Sequence, residues 1–363
     1  MIILGIETSC DETAAAIVKD GRHILANVVA SSASLHAKYG GIIPEIAARE
    51  QLKSLLPVLQ ETFFQAAPFT GHLPSAISQI NAIAVTVGPG LIGPLLIGIE
   101  TAKTISHLHQ LPLIPVNHLV GHIYANWLIP TNPPPDFTSP NPPQFPVLAL
   151  VVSGGHTDLV FMKNHQHISL IGSTRDDAAG ETFDKTARLL NLPYPGGPHL
   201  SQLAKSGQPS YPLPRPLTDN STFDWSFSGL KTAVSRLVEQ NKHLDSANLA
   251  SSIECAIIDS LVSKTIQAAK QLHPRSLLLA GGVSANSHLR QTFKQTVASL
   301  PASVNPQLFI PSPSFCTDNA AYIAAAAYFH YTPKHPFQLY AEPSFCITDH
   351  FHSEKIESQS PKQ

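Results

Sequence analysis

Short runs of branched apolar residues, each closed by glycine, proline or small polar residues, recur along the chain. Val147–Val152 is one of them: six apolar residues lead into Ser153-Gly154-Gly155, and a second strand-like run starts at His156. Branched side chains favour a pleated, buried surface, and the Gly-Gly pair predicts a tight hairpin turn at φ > 0. A serine beside two glycines also leaves backbone N–H groups uncovered, as a phosphate cradle requires. The N-terminus repeats the pattern. Ile2–Glu7 is an apolar strand, residues 8–13 a small-polar turn, and residues 14–18 the returning strand. Strand, turn and strand therefore occur twice, roughly 145 residues apart, which predicts two similar lobes facing each other across a cleft.

Between these hairpins the spacing predicts a third strand over 22–30 and a helix opened by Pro44 and running to about residue 64. A buried strand over 80–87, a helix over 91–109, a short strand over 113–116 and a helix over 118–128 follow. Residues 129–146 (IPTNPPPDFTSPNPPQFP) hold eight prolines, so neither helix nor central strand fits, and a semi-rigid linker is expected. Beyond it, helices are expected at about 179–190 and 199–205 and over 246–272. A strand over 276–280 leads into a helix over 284–300 with Ser284 as N-cap. The last strong helix spans 317–330, capped by Thr317 or Asp318. Strands alternating with helices, twice, make an α/β protein. The expected organisation is a first lobe over 1–130, a linker over 131–146 and a second lobe over 147–335. The last helices are free to pack back on the first lobe, and residues 351–363 form a disordered tail.

Composition narrows the function. Of the 363 residues, 43% are apolar and 13% charged, with a formal net charge of −2. That leaves ample core and excludes a generally basic coat, so any nucleic-acid contact must come from a local patch. Four scattered cysteines (Cys10, Cys255, Cys316, Cys346) give no paired zinc spacing and fit a reducing compartment. Met1 enters a strand directly, and the longest apolar run, over 91–99, is too short to span a bilayer. A soluble, cytoplasmic protein is expected.

In such folds ligands gather at the carboxyl ends of strands, beside helix N-termini. His118 and His122 lie one helical turn apart and could share a metal ion. With 18 histidines in the chain, about one such pair arises by chance, so the spacing alone has little weight. A zinc peptidase would need glutamate directly after the first histidine, where this chain has Leu119. Asp318 is either a helix cap or a third ligand, completing a site with open positions that suits iron(II) or zinc. Gly281–Asn286 (GGVSAN) follows a buried strand, and Asn286 could read an amide edge or a ribose hydroxyl. Asp184 and Lys185 fall on an otherwise apolar helix, solvated or facing the cleft. Gly196-Gly197 is a turn or a place for close ligand approach. Asp11 and Glu12 are paired carboxylates at a hairpin tip. Lys38, Arg49, Lys185, Arg188 and Lys231 could meet RNA phosphates, but sequence cannot cluster them.

Nine segments, in order over about residues 1–330, resemble one family, the tRNA N6-adenosine threonylcarbamoyltransferases once called O-sialoglycoprotein endopeptidases. They are GIETSCDETA (5–14), LHAKYGGIIPEIAAR (35–49), GPGLIGPLLIG (88–98), VNHLVGH (116–122), LVVSGGHT (150–157), DDAAGETFDKTARLLNLPYPGGP (176–198), WSFSGLKT (225–232), AGGVSAN (280–286) and FCTDNAAYIA (315–324). The resemblance implies an actin-like, sugar-kinase-type fold of two lobes with duplicated RNase H-like subdomains. It implies transfer of a threonylcarbamoyl group from threonylcarbamoyl-AMP to N6 of the adenosine 3′ to the anticodon, in tRNAs reading codons that begin with A. Metal ligands carry over onto His118, His122 and Asp318, with iron(II) favoured and zinc or magnesium as alternatives. Substrate and adenine-nucleotide contacts carry over onto Val151, Val152, Ser153, Gly154, Gly155, Asp184, Gly197 and Asn286, and catalytic carboxylates onto Asp11 and Glu12. Implied partners are the tRNA, a paralogous subunit, with residues 91–109 as its expected interface, and a small ATPase. The sequence between the two histidines lacks the acidic residue many bacterial relatives carry. An ATP-dependent kinase or hydrolase of the same fold, a metallopeptidase and a non-catalytic scaffold are the rival readings.

Overall fold

The computed structural model describes residues 1–71, 76–130, 141–216, 222–241 and 243–348. Most of the expected linker, and the whole of the expected tail at 351–363, lie outside the described residues.

The chain opens with three antiparallel strands, β1 (Ile2–Glu7), β2 (Glu12–Lys19) and β3 (His23–Ser31), then helices α1 (Ala33–Ala37) and α2 (Pro44–Thr70). Strand β4 (Ala82–Gly88), helix α3 (Ile92–His109), strand β5 (Leu113–Asn117) and helix α4 (His118–Tyr124) complete the first half. The second half repeats the plan with β6 (Val147–Val152), β7 (Thr157–Asn164) and β8 (His167–Ser173). Helices α5 (Ala179–Leu189), α6 (Gly196–Ala204), α7 (Ser228–Gln240) and α8 (Ser246–Leu272) follow. Strand β9 (Ser276–Ala280), helix α9 (Ser287–Ala298), strand β10 (Gln307–Phe309) and helix α10 (Ala320–Phe329) end the series. The two five-stranded sheets run β3-β2-β1-β4-β5 and β10-β9-β6-β7-β8. Read from the hairpin edge, the second has the order of the first: an antiparallel meander, then two parallel strands. The duplication read from two hairpins is thus a duplication of whole sheets.

Strand periodicity builds the layers. In β1, Leu4 and Ile6 face α2 and α3, while Ile3 faces the opposite way. In β6, Leu148, Leu150 and Val152 face α5 and α8, while Val147, Ala149 and Val151 join Ile3 in one shared core. Both faces of each sheet are covered, as mixed sheets with crossover helices require. The shared core also contains α4 and α10, so these two helices form a middle layer between the sheets. Helix α10 (AAYIAAAAYF) is buried on nearly every side, and its many alanines let β1 and α4 approach closely.

Four local expectations are corrected. Helix α2 continues to Thr70 rather than residue 64, because its buried stripe runs on through Phe63, Ala66 and Thr70 and outweighs its internal prolines. Helix α9 begins at Ser287, capped by Asn286 accepting from the Leu289 N–H at 2.8 Å, while Ser284 sits in a single 3₁₀ turn before it. Helix α10 begins at Ala320, capped by Asn319, which accepts from Ala321 and Tyr322; neither Thr317 nor Asp318 caps it. Gly154 and Gly155 are not among the positive-φ glycines, so the β6–β7 turn does not use the left-handed region, whereas Gly281 after β9 has φ +86°.

Candidate metal centre and cleft

Helix α4 starts where β5 ends, and Asn117 makes the join. Its side-chain oxygen accepts from the Leu119 and Val120 N–H groups at 2.9 and 3.3 Å, a strong N-cap. Capping there sets the first helical residue, His118, at the carboxyl end of the sheet and brings His122 beneath it one turn later. The ring centroids are 4.6 Å apart. Asp318, released from capping by Asn319, reaches both rings. Its Oδ1 lies 3.6 Å from His118 Nε2 and 3.3 Å from His122 Nε2, and it accepts from the Tyr322 hydroxyl at 3.3 Å. One ligand atom from each of these three residues lies within 4.8 Å of the others.

The donor set fits a divalent cation. Bonds of ~2.0–2.2 Å to nitrogen and oxygen put neighbouring ligand atoms roughly 3 Å or slightly more apart, close to the 3.3 and 3.6 Å from Asp318 to the two histidines. Both ring nitrogens of His122 are buried without a hydrogen-bond partner; its Nε2 is near Asp318 but not aligned with it. Such orphaned buried atoms are costly unless a ligand engages them. Glu7, at the end of β1 and fully buried, explains the orientation of His118. Its Oε2 lies 3.0 Å from His118 Nδ1 and accepts from the Thr86 hydroxyl, while Oε1 accepts from the Ser9 N–H. A carboxylate behind a ligating imidazole fixes its tautomer, leaving Nε2 for the metal. Burial disfavours the charged form of His118, but Glu7 and then Asp318 outweigh it and raise its pKa to about 9. Burial likewise opposes ionisation of Asp318, yet His118 and His122 hold its carboxyl below the usual range.

The two hairpin tips flank this centre. At the first, burial, then Asp318, then Asp11 push the Glu12 carboxyl upward, while the Ser31 hydroxyl donates to it at 3.1 Å. At the second, the turn is closed by Ser153 N–H donating to His156 O at 2.9 Å. The first N–H groups of α5, those of Gly180 and Glu181, donate to the carbonyls of Ser153 and Gly154. With its carbonyls so occupied, the exposed turn presents the Gly154 and Gly155 N–H groups, with open space on the Cβ side of both. Gly281 backs the turn. A Cβ there would come within 2.3 Å of Val152 O, so glycine is required both by its φ and by its closeness to β6. His156 feels the metal residues: burial, then the charges of His118 and His122, lower its pKa to about 4.

The remaining sequence candidates form a second group along α6. Gly197 N–H donates to Asp184 Oδ1 at 3.0 Å. One turn further, the Ser201 hydroxyl accepts from Asn286 Nδ2 at 2.8 Å, and Glu254 on α8 accepts from the same nitrogen at 2.7 Å. The side chain of Asn286 is thus held by α6, α8 and its own helix. Burial raises the Asp184 carboxyl despite the Gly197 and Gly196 amides. Tyr194 links the groups, since burial followed by Asp11, Asp184, Cys10 and Glu12 drives its hydroxyl well above the usual range. Sequence reasoning missed Glu7, His156 and Tyr194. Glu7 did carry a signal, a carboxylate closing an otherwise apolar strand; the other two carried none beyond adjacency to glycine turns.

Comparison with known proteins agrees with this layout. The sequence profile of the family described as "TsaD: tRNA N6-adenosine threonylcarbamoyltransferase" matches residues 23–325. A tRNA N6-adenosine threonylcarbamoyltransferase of Geobacillus kaustophilus is 48% identical over 328 residues, 89% of this chain and 90% of the relative. One of Anoxybacillus flavithermus is 48% identical over 353 residues, 96% and 97% of the two chains. Among solved structures, T. kodakarensis HypF superposes with a TM-score of 0.58 at 12% identity, over 91% of this chain and 47% of that one, a likeness of fold alone.

Proposed function

The chain belongs to the tRNA N6-adenosine threonylcarbamoyltransferase family, and from that premise we propose how its residues divide the work of the transfer. The reaction moves a threonylcarbamoyl group onto N6 of an adenosine in tRNA. The adenosine is the one 3′ to the anticodon in tRNAs reading codons that begin with A, and the donor is threonylcarbamoyl-AMP. The amine nitrogen bonds to the carbamoyl carbon, the carbon–oxygen bond of the mixed anhydride breaks, AMP leaves, and the N6 proton goes to a carboxylate.

His118, His122 and Asp318 hold a divalent cation, with iron(II) favoured. Bound there, the cation supplies Lewis-acid stabilisation of negative charge on the donor phosphate. The N–H groups of Gly154 and Gly155 hold the phosphate or the threonylcarbamoyl portion as fixed donors, with Val151, Val152 and Ser153 setting their direction. Asp184, Gly197 and Asn286 line the place of the adenosine portion. Asp11 and Glu12 are the groups able to accept the N6 proton. The convergence of the three metal residues beside the glycine turn carries this reading.

The implied paralogous subunit has a candidate surface. Leu52 and Leu56 on α2 are 69% and 65% exposed, and Ile92 and Leu96 on α3 are 51% and 44% exposed. Each pair is one turn apart on neighbouring helices, and a pairing partner would cover the apolar face they form.

The test supplies the full chain, with its paralogue and small ATPase, with threonylcarbamoyl-AMP and unmodified tRNA, and analyses the nucleosides. Modified adenosine is expected from the wild type, with metal and transfer lost together in His118→Ala. Undiminished transfer by a metal-free His118→Ala protein refutes the metal's role. Steady ATP turnover without tRNA, and no modified nucleoside, favours a kinase or hydrolase instead.

A further inference from the structure

Beside the carboxylate pair at the first hairpin tip, segments from opposite halves of the chain are tied together. Ser32 donates to Asp11 O twice, from its N–H at 3.0 Å and its hydroxyl at 2.8 Å, so α1 springs directly from the tip. One short helix later come Lys38, Tyr39 and Gly40. On the other side α5 carries Asp184 and, one turn on, Arg188. Arg188 Nη2 donates to Gly40 O at 2.8 Å and ties the loop to the second half.

Tyr39 belongs to none of the buried clusters of the protein. It is 62% exposed, and a large ring left in water contributes nothing to the core. Its neighbours are charged in a particular way. Of the five basic residues that could meet RNA, Arg49 is paired with Glu45, and Lys185 with Asp177 and Glu181. Lys38 has no ion pair among the described residues, and Arg188 is exposed apart from its bond to Gly40. Two of the five therefore meet on one loop, Lys38 next to the exposed Tyr39 in sequence and Arg188 tied to the following Gly40 from the other half, whereas Lys231 stands apart on α7.

Resting on the functional reading above, we propose that Tyr39, flanked by Lys38 and Arg188, is a stacking platform for single-stranded RNA at the cleft mouth. An adenosine that enters the cleft must leave its loop stack, and the base beside it loses a stacking partner. The Tyr39 ring replaces that partner, while Lys38 and Arg188 meet the adjoining phosphates. Stacking on an aromatic ring tolerates any base, so the platform serves tRNAs of differing loop sequence.

Steady-state transfer kinetics with Tyr39→Ala, Tyr39→Trp and Lys38→Ala proteins, alongside wild type, test this. A lost stacking contact corresponds to about a tenfold rise in KM for tRNA. That rise is expected for Tyr39→Ala, with KM for threonylcarbamoyl-AMP unchanged and wild-type behaviour restored by Tyr39→Trp. Lys38→Ala is expected to weaken the salt dependence of KM for tRNA. A wild type that transfers, beside a Tyr39→Ala protein with unaltered KM for tRNA, removes the platform and leaves the functional reading standing. A rise in both KM values overturns it too, as general damage to the cleft. A wild type that does not transfer removes the reading and the platform with it.

Discussion

Asp158 is the second residue of β7, just beyond the glycine turn, and is 9% exposed. Burial raises its pKa from the ordinary aspartate value of about 4 to about 6, and no hydrogen bond or ion pair satisfies it among the described residues. The folded state therefore prefers the protonated form. The associated stability is complete below about pH 4 and is lost as the pH rises through about 6. At ~1.4 kcal/mol per tenfold change in the proton equilibrium, the gap is worth on the order of 3 kcal/mol. Asp158→Asn should stabilise the protein against urea at pH 7.5 and make little difference at pH 4. Equal gains at both pH values would show that ionisation is not the cause. Single residues were also where sequence was hardest to read. Two neighbours compete for each cap, and only coordinates show that Asn319 rather than Asp318 closes α10. Ser284 gives way to Asn286 in the same manner, because a preceding 3₁₀ turn shifts the helix start by three positions. Ser, Thr, Asp and Asn all make competent caps, so composition could not separate them.

At the scale of elements, the central strands followed from short unbroken apolar runs, because β4, β6 and β9 are buried on both faces. What spacing could not foresee is which helices share a layer. The α4–α10 contact is the decisive one, since α4 carries the two histidines of the candidate metal centre and Asp318 lies just before α10. Gly121 makes that contact possible: a Cβ there would lie 2.7 Å from Ile323 Cδ1 and from the Tyr322 ring. Gly121→Ala should destabilise the fold by roughly 1–3 kcal/mol through overpacking, measurable by denaturant unfolding. A fully stable variant would mean that the helices can separate without cost. The glycine is visible in VNHLVGH, but its partner sits about two hundred residues away, and helix-on-helix pairing of that range leaves no local mark.

For the whole molecule, the duplicated hairpins led to the correct architecture because a sheet that repeats must repeat its turns. Both sheets have the same strand order, and the middle helical layer ties them into one core. Among the described residues no helix is long and apolar enough to cross a membrane. The three candidate metal ligands come from α4 and from the segment preceding α10, so they converge only when the chain is fully folded. Metal content of the wild type and of the Asp318→Ala, His118→Ala and His122→Ala proteins tests this most directly. One divalent ion per wild-type chain, lost from all three folded variants, is the predicted result. Full occupancy in the Asp318→Ala protein would contradict it.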